Sequence, residues 1–429
     1  MSKSIESQDL EKLLIKHDKV AGTTIALVED FSVRSVVAGY ARKSTGEAFD
    51  TDHFIQCASL SKTVAAAFSH EYFYDKGIPM TTSVNALLRD LNSPWLIEST
   101  SPQFLSDDVT LSMLLNHTAL GMHYVFGIPI RGEIPTPLEL ISGAAKKHGY
   151  EVLQLERPAG TFFSYSGGGF VVMQYLLERM EGKPIEEITR SFLDNCGLVD
   201  FTFSQLAARP GTKFAFGHKP APTAMSTEGG LVEVEALAFP PLAAGALCTP
   251  TALATFLSYL AQAYHNPSGC GAISHRTALH MLSPQYSLDL GAIDFMGAEI
   301  GSGVFIATAG ANKIMLHQAA NDGLRGLYML CFDGPDRGKG FVVLSNGDNP
   351  AVLFQCELTR LLLSDRGLNF SGIDFSQFKD SDFDYDFAHM KQETIVNRGL
   401  KDLVTSAFIN KHNIPAGLKI GAGKCTSKL

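Results

Sequence analysis

The sequence lacks several patterns that identify common classes of protein. Its seven cysteines are scattered, odd in number and without a C-x-x-C pair, so neither a disulfide framework nor a zinc site is expected. It has no run of lysines or arginines and a formal net charge of −9, which argues against nucleic acid or an anionic membrane as its main partner. No stretch approaches the roughly 18 apolar residues of a membrane-spanning helix. These absences favour an intracellular protein with reduced thiols and a small-molecule ligand.

Both ends of the sequence carry information about location. Residues 1–19 alternate charged and apolar side chains, unlike a secretory signal, so export is not expected. The last three residues are Ser427, Lys428 and Leu429, the tripeptide that peroxisomal import receptors bind at a free C-terminus. We therefore expect a peroxisomal protein with that receptor as a partner. The alternative is a chance match in an organism without peroxisomes, and the protein would then be cytoplasmic.

The 429 residues, 45% hydrophobic and 18% charged, are enough for one large core or two domains. Strand patterns occur near both ends, and the middle is dominated by helical patterns and Pro/Gly-rich loops. This order predicts an α+β fold, an α/β sandwich, in which N- and C-terminal segments form one antiparallel sheet flanked by helices. The predicted units are residues 1–75 with 286–369 as the sheet domain, 76–285 as an inserted helical domain, and 370–429 as an extension.

The stretch "FIQCASLSKTVAAAFSHEYF", residues 54–73, places Ser59 and Lys62 three residues apart at the start of an apolar helix. Side chains at this spacing share a face, and a lysine there is desolvated and close to the positive end of the helix dipole. Both effects lower the lysine pKa, so that it can remove a proton from the serine. The S-x-x-K pattern recurs at residues 376–379, so the pattern alone also fits a capping serine beside a surface lysine.

A second segment, "PAGTFFSYSGGGFVVMQYLLERMEGKP" at residues 158–184, presents Tyr165 just before three glycines. Glycines allow a ligand or another chain to approach the backbone closely. Taken alone, Tyr165 is equally consistent with a core tyrosine whose hydroxyl is hydrogen-bonded.

From about residue 10 to 365 the sequence resembles the serine β-lactamase and penicillin-binding-protein-like hydrolases, in the branch of class C β-lactamases and family VIII esterases. Five segments match in the same order, which is far more specific than any one of them. They are "ASLSKTVAAA", "LLNHTALG", "GTFFSYSGGGFVVMQYLLE", "FPPLAAGALCTPTALATFL" and "HQAANDGLRGLYMLCFDGPDRGKGFVVLSNGDN".

The resemblance implies a role for each matching residue. Ser59 would be the acylated nucleophile, Lys62 its activating partner and Tyr165 a second proton carrier. His317 would orient Tyr165 or the substrate. The backbone N–H groups of Ser59 and Ala320 would form the oxyanion hole. No cofactor and no metal ion are implied.

The sequence departs from the family pattern at two substrate-binding positions. The tyrosine is followed by Ser166 and Gly167 where relatives commonly have Y-x-N. The strand segment reads His317, Gln318, Ala319 where relatives have K-T-G or H-x-G, and the added methyl group narrows the space beside the acyl group. Both changes argue against a β-lactam as the natural substrate.

Two other features of the central region have alternative interpretations. Residues 121–137, "GMHYVFGIPIRGEIPTP", fit either a lid over the acyl pocket, with Tyr124 and Phe126 contacting substrate, or an ordinary connecting loop. His117 in "LLNHTALG" is interpreted as a loop histidine that holds backbone groups, in preference to a catalytic one.

The sequence therefore predicts a serine enzyme that acts through an acyl-Ser59 intermediate. Hydrolysis of a small-molecule ester or amide is the first hypothesis. The second is acyl transfer from an ester, amide or thioester to another nucleophile in a metabolite pathway, which would use the same residues. A third hypothesis, from another class, is a binding member of the fold without catalysis.

Overall fold

The computed structural model describes residues 5–122, 124–204, 211–221, 230–285, 299–363 and 368. Ten α-helices occur in these residues: α1 (Ser7–Lys16), α2 (Ser61–Asp75), α3 (Val84–Asp90), α4 (Leu111–Leu115), α5 (Pro137–Ile141), α6 (Gly167–Glu181), α7 (Ile185–Asn195), α8 (Pro250–His265), α9 (His275–Met281) and α10 (Asn349–Leu363). The strands in the same residues are β1 (Val20–Glu29), β2 (Ser32–Arg42), β3 (Glu47–Ala48), β4 (Ile55–Gln56), β5 (Ile128–Pro129), β6 (Phe201–Thr202), β7 (His218–Pro220), β8 (Leu231–Glu233), β9 (Leu237–Ala238), β10 (Leu247–Cys248), β11 (Glu299–Ile300), β12 (Phe305–Ala309), β13 (Asn312–Asn321), β14 (Leu324–Asp333) and β15 (Gly340–Gly347).

The main sheet joins the two ends of the described chain. Its eight strands lie in the order β11-β12-β13-β14-β15-β1-β2-β3, and every neighbouring pair is antiparallel. The central pair is β1 with β15, in which Ile25 lies opposite Val343. This arrangement confirms the predicted α+β fold with one antiparallel sheet built from N- and C-terminal segments.

Helices cover both faces of the sheet, which explains the apolar composition of β1. Ile25 and Leu27 pack in one core with side chains of α1 and α10, and Ala26 and Val28 pack in a second core with side chains of α2 and α8. Successive side chains of a strand point to opposite faces, so a strand covered on both faces needs apolar residues at consecutive positions. The sheet is thus the middle layer of a sandwich.

The described part of the region between the two halves of the sheet is mostly helical, with three small sheets of very short strands: β4-β10-β6, β5-β9 and β7-β8. The long helix α6 ends at Gly182, whose left-handed φ of 64° is typical of a helix C-terminus. In the described residues no helix has both the length and the apolar character needed to cross a membrane.

Several predictions fall outside the described residues. They are the second S-x-x-K copy at 376–379, the whole extension 370–429, and the tripeptide Ser427, Lys428 and Leu429. Peroxisomal import and the domain boundaries therefore stay predictions.

Candidate active site

Ser59 lies on a tight turn between the short strand β4 and the helix α2. The turn is a 3-10 helix, Ala58–Leu60, so Ser59 precedes the α-helix by two residues and does not lie in its first turn as expected. Ala58 has a left-handed φ of 46°, and Cys57 N–H donates to the carbonyl of Ala246 at 2.9 Å. Ser61 Oγ accepts from the N–H of Ala246 at 3.1 Å. These bonds fix the turn and leave the Ser59 side chain half-buried.

Lys62, in the first turn of α2, reaches back to Ser59. Its Nζ lies 3.2 Å from Ser59 Oγ and donates to the carbonyl of Ala243 at 2.6 Å. The residue is 1% exposed, and its Nζ lies 5.0 Å from the ring centroid of Tyr165 and 5.6 Å from that of Phe170. Burial lowers the pKa of Lys62 from 10.5 to about 7, against a smaller opposing contribution from Cys57. The amine is therefore uncharged in a large share of molecules near neutral pH.

Tyr165 approaches Ser59 from the loop before α6. Burial raises the pKa of the Tyr165 hydroxyl well above 10, and a hydrogen bond with Ser59 partly opposes that rise. The phenol therefore keeps its proton at neutral pH and can donate it. Ser59 thus lies between the buried Lys62 amine and the protonated Tyr165 hydroxyl. The base and proton-carrier roles that the resemblance implies for these two residues stay predictions.

His117 supports the Tyr165 loop. Its Nδ1 accepts a hydrogen bond from the backbone N–H of Ser166 at 3.0 Å, and its carbonyl accepts one from Ser164 N–H at 2.9 Å. Its ring centroid lies 4.5 Å from that of Tyr165. This confirms the interpretation of His117 as a loop histidine that holds backbone groups on both sides of Tyr165.

The strand β13 forms the wall of the site opposite α6 and contacts the Ser59 turn. Its pairing with β12 ends at Leu316, which lies opposite Phe305, so residues 317–321 have a strand partner only on the β14 side among the described residues. Ala320 is exposed on this segment, Gln318 is half-buried and Ala319 is buried. A free strand edge offers backbone N–H groups to a ligand, as an oxyanion hole requires.

His317 is buried beside the catalytic candidates. Its ring centroid lies 5.9 Å from that of Tyr165, and its Nδ1 lies 2.6 Å from the carbonyl of Gln318. Burial, with a smaller contribution from the nearby Lys62, lowers the pKa of His317 to about 3. The imidazole is therefore uncharged at neutral pH.

A comparison with known protein families matches most of this chain. The model of the family described as Beta-lactamase matches residues 8–364. The chain belongs to the beta-lactamase family. A search of curated proteins gave no match.

Solved structures share this beta-lactamase fold at low sequence identity. The octameric penicillin-binding protein homologue from Pyrococcus abyssi is 18% identical with a TM-score of 0.63, covering 85% of this chain and 79% of that one. The D-amino acid amidase from Ochrobactrum anthropi SV3 is 16% identical with a TM-score of 0.60, covering 80% and 91%. EstCE1, described as a hydrolase with promiscuous acyltransferase activity, is 14% identical with a TM-score of 0.57, covering 79% and 92%.

The segment predicted as a lid is anchored in this beta-lactamase-family structure. The Tyr150 hydroxyl bonds both the N–H and the carbonyl of Phe126, each at 2.8 Å, and the strand that follows, β5, pairs with β9. Tyr124 and Phe126 remain 51% and 46% exposed. Contact of these two rings with substrate stays a prediction, as does the lid.

Sequence reasoning missed the groups that join β13 to the helical region. Asn321 Nδ2 donates to Gln56 Oε1 at 2.7 Å and to the carbonyl of Ala244 at 3.0 Å, next to the carbonyl that holds Lys62. The family resemblance includes the segment "FPPLAAGALCT", which contains Ala243 and Ala244. It did not predict that their backbone carbonyls accept hydrogen bonds, because a motif of side chains does not show what the backbone binds.

Proposed function

We propose that this chain is a serine hydrolase that forms an acyl ester on Ser59 from a small-molecule ester or amide. The observation that carries the proposal is the buried Lys62 amine, 3.2 Å from a half-buried Ser59 hydroxyl. When the amine is uncharged, this contact becomes a hydrogen bond from the Ser59 hydroxyl to its lone pair. A serine in that position is an activated nucleophile.

The proposed acylation accounts for every bond and proton that changes. The Lys62 amine takes the Ser59 proton as Oγ attacks the substrate carbonyl carbon. The N–H groups of Ser59 and Ala320 hold the oxyanion that develops. The intermediate then collapses and its bond to the leaving oxygen or nitrogen breaks. Tyr165 gives its proton to the leaving group and is reprotonated from Lys62, so the enzyme regains its initial protonation state.

Deacylation repeats these steps with water as the nucleophile. Water gives its proton to Lys62 and attacks the acyl carbon. The bond to Ser59 Oγ then breaks, the acid leaves, and the proton returns from Lys62 to Oγ, which restores the Ser59 hydroxyl. The replacement of the usual asparagine by Gly167 and of glycine by Ala319 supports an ester or simple amide, in preference to a β-lactam, as the natural substrate.

Acyl transfer is the second candidate, and a specific observation favours it. EstCE1, which shares the fold, is described as a hydrolase with promiscuous acyltransferase activity. In this mechanism an alcohol, amine or thiol replaces water in deacylation, and Ser59, Lys62 and Tyr165 keep their roles. Supplying candidate acceptors with an activated ester and measuring the ratio of transfer product to free acid separates the two reactions.

Intact-mass analysis after incubation with a fluorophosphonate tests the acyl-enzyme proposal. We expect one adduct per chain in the wild type and none in Ser59→Ala. Ser376→Ala is the matched control, because it removes the serine of the second S-x-x-K copy and should leave the adduct unchanged. An adduct that persists in Ser59→Ala would place the nucleophile elsewhere, and its absence from the wild type would favour a binding protein without catalysis.

A further inference from the structure

The two backbone N–H groups proposed for the oxyanion hole belong to different sheets. Ala320 lies on β13 of the eight-stranded sheet, whereas Ser59 lies on the turn after β4, which belongs to the small sheet β4-β10-β6. Pairing with β14 places Ala320 opposite Arg325 and fixes it within its own sheet. Because an oxyanion needs both donors at hydrogen-bond distance from one point, their separation depends on contacts between the two sheets.

One buried side chain makes such a contact. Asn321 follows Ala320 on β13 and is 7% exposed. Its Nδ2 donates to Oε1 of Gln56 at 2.7 Å and to the carbonyl of Ala244 at 3.0 Å. Gln56 lies on β4, three residues before Ser59. A single carboxamide thus connects the strand that carries one proposed oxyanion donor to the strand that leads to the other.

The acceptor groups determine the orientation of this carboxamide. A carbonyl oxygen can only accept, so the atom of Asn321 that faces Ala244 must be the nitrogen. Gln56 Nε2 donates to the carbonyl of Leu237 at 3.0 Å, which leaves Gln56 Oε1 to accept from Asn321. Both hydrogens of Asn321 Nδ2 are therefore used, and a carboxylate or an apolar side chain at this position would supply neither bond.

The backbone of Asn321 is held from the side of β14. Arg325 is 5% exposed, and its Nη1 donates to the carbonyls of Asn321 and Leu324, each at 2.7 Å. Its Nη2 is ion-paired with Asp348. Hydrogen bonds from an ionised donor are stronger than those between neutral groups. The end of β13 is therefore held firmly to its own sheet, and the Asn321 side chain carries that position across to β4.

We propose that Asn321 is a positioning residue, whose carboxamide sets the distance between the Ala320 and Ser59 N–H groups of the oxyanion hole. This inference rests on the proposed acyl-Ser59 function. In that mechanism Asn321 touches no reacting atom and acts only through Ala320. Without the carboxamide, the end of β13 can shift relative to the Ser59 turn, and the two donors no longer converge on the developing oxyanion.

Two esters that differ in one atom test this inference. The probes are p-nitrophenyl acetate and O-(4-nitrophenyl) thionoacetate, in which sulfur replaces the carbonyl oxygen and the leaving group is the same. Each single-turnover acylation rate is divided by the rate of hydroxide hydrolysis of that ester. Sulfur is a larger and weaker acceptor, so we expect the wild type to prefer the oxygen ester about hundredfold, the usual effect of losing one oxyanion donor. Asn321→Ala should reduce this preference about tenfold, because a misplaced donor favours oxygen less.

Asn312→Ala is the matched control. Asn312 is the first residue of the same strand, is 1% exposed, and bonds Asp336 through Nδ2 at 2.7 Å and Oδ1 at 3.0 Å. This variant should lose stability and keep the wild-type ratio of the two rates. Gln56→Leu removes the acceptor at the other end of the Asn321 bond and should also reduce the preference, so it replaces Asn321→Ala if that variant does not fold.

Intact mass separates this inference from the acyl-enzyme proposal. An acetyl adduct from p-nitrophenyl acetate that is absent from Ser59→Ala shows that Ser59 is acylated. If it is acylated but the wild type does not prefer the oxygen ester, or Asn321→Ala keeps the wild-type ratio, the Asn321 inference is wrong and the acyl-enzyme proposal stands. The same conclusion follows if Asn312→Ala lowers the ratio equally. If Ser59 is not acylated, both fail.

Discussion

At the scale of single residues, the Lys62 amine occupies a position where a charge is costly. It is 1% exposed, and its pKa falls from 10.5 to about 7 because of burial. Between these two pH values the unfolded chain binds a proton at this residue and the folded chain does not. The free energy of unfolding therefore increases with pH between about 7 and 10.5. Burial of Lys62 destabilises the folded protein most at pH 7 and below.

Replacing this lysine should stabilise the protein while inactivating it. We expect Lys62→Met to abolish acylation and to raise the free energy of unfolding by about 2 kcal/mol at pH 7, since a thioether suits an apolar site better than a charged amine does. The gain should shrink as pH rises towards 10.5. Denaturant unfolding at several pH values measures this difference.

Lys12→Met is the control for that experiment, because the Lys12 side chain is 77% exposed on α1. This variant should show no comparable gain at any pH. A Lys62→Met protein that is less stable than the wild type at pH 7 would mean that the buried amine is not a strained group, and that its hydrogen bond with Ala243 outweighs the cost of burial.

At the scale of elements, the contact between α2 and the loop after β11 fixes the position of Lys62. Gly303 has a left-handed φ of 67°, and a Cβ there would lie 2.5 Å from the Cβ of Ala66 and 2.7 Å from the carbonyl oxygen of Lys62. Both distances are shorter than van der Waals contact, so any side chain at this position must displace the helix. The helix in turn holds Lys62.

We expect Gly303→Ala to lower the free energy of unfolding by about 2–4 kcal/mol, from backbone strain and overpacking together, and to slow acylation of Ser59. Gly310→Ala is a matched control, since Gly310 has a similar φ of 59° and no atom within 4 Å of the added Cβ. It should cost about 1–2 kcal/mol from backbone strain alone and leave acylation unchanged. Equal effects of the two substitutions would show that the α2 contact is not tight.

Elements with a strong hydrophobic period were predictable, and irregular ones were not. The strands near both ends of the chain and the helical character of the region between them followed from strand and helix patterns in the sequence. The position of Ser59 on a 3-10 turn was missed because Ala58, in place of a glycine, adopts the left-handed conformation. The strands β6 and β10 were missed because two residues cannot display a period.

At the scale of the whole molecule, the candidate site is built from parts that are far apart in the chain. Ser59 and Lys62 come from the N-terminal part, Tyr165 and the Ala243 carbonyl from the helical region, and His317 from the C-terminal strands. The family resemblance identified the side chains, because each match retains a residue type. It did not identify the Ala243 carbonyl or the Asn321 bridge, because these depend on how the helical region packs against β13.

The central claim is that the assembled cleft keeps Lys62 uncharged, so that it can take the Ser59 proton. The pH dependence of the acylation rate tests this claim most directly. Single-turnover acylation by p-nitrophenyl acetate is measured from pH 5 to 10, with the uncatalysed rate subtracted. We predict that the rate falls about tenfold per pH unit well below the Lys62 pKa of about 7 and is level above it. A rate that continues to rise towards pH 10, as for a lysine in water, or one that stays level down to pH 5, would contradict the account.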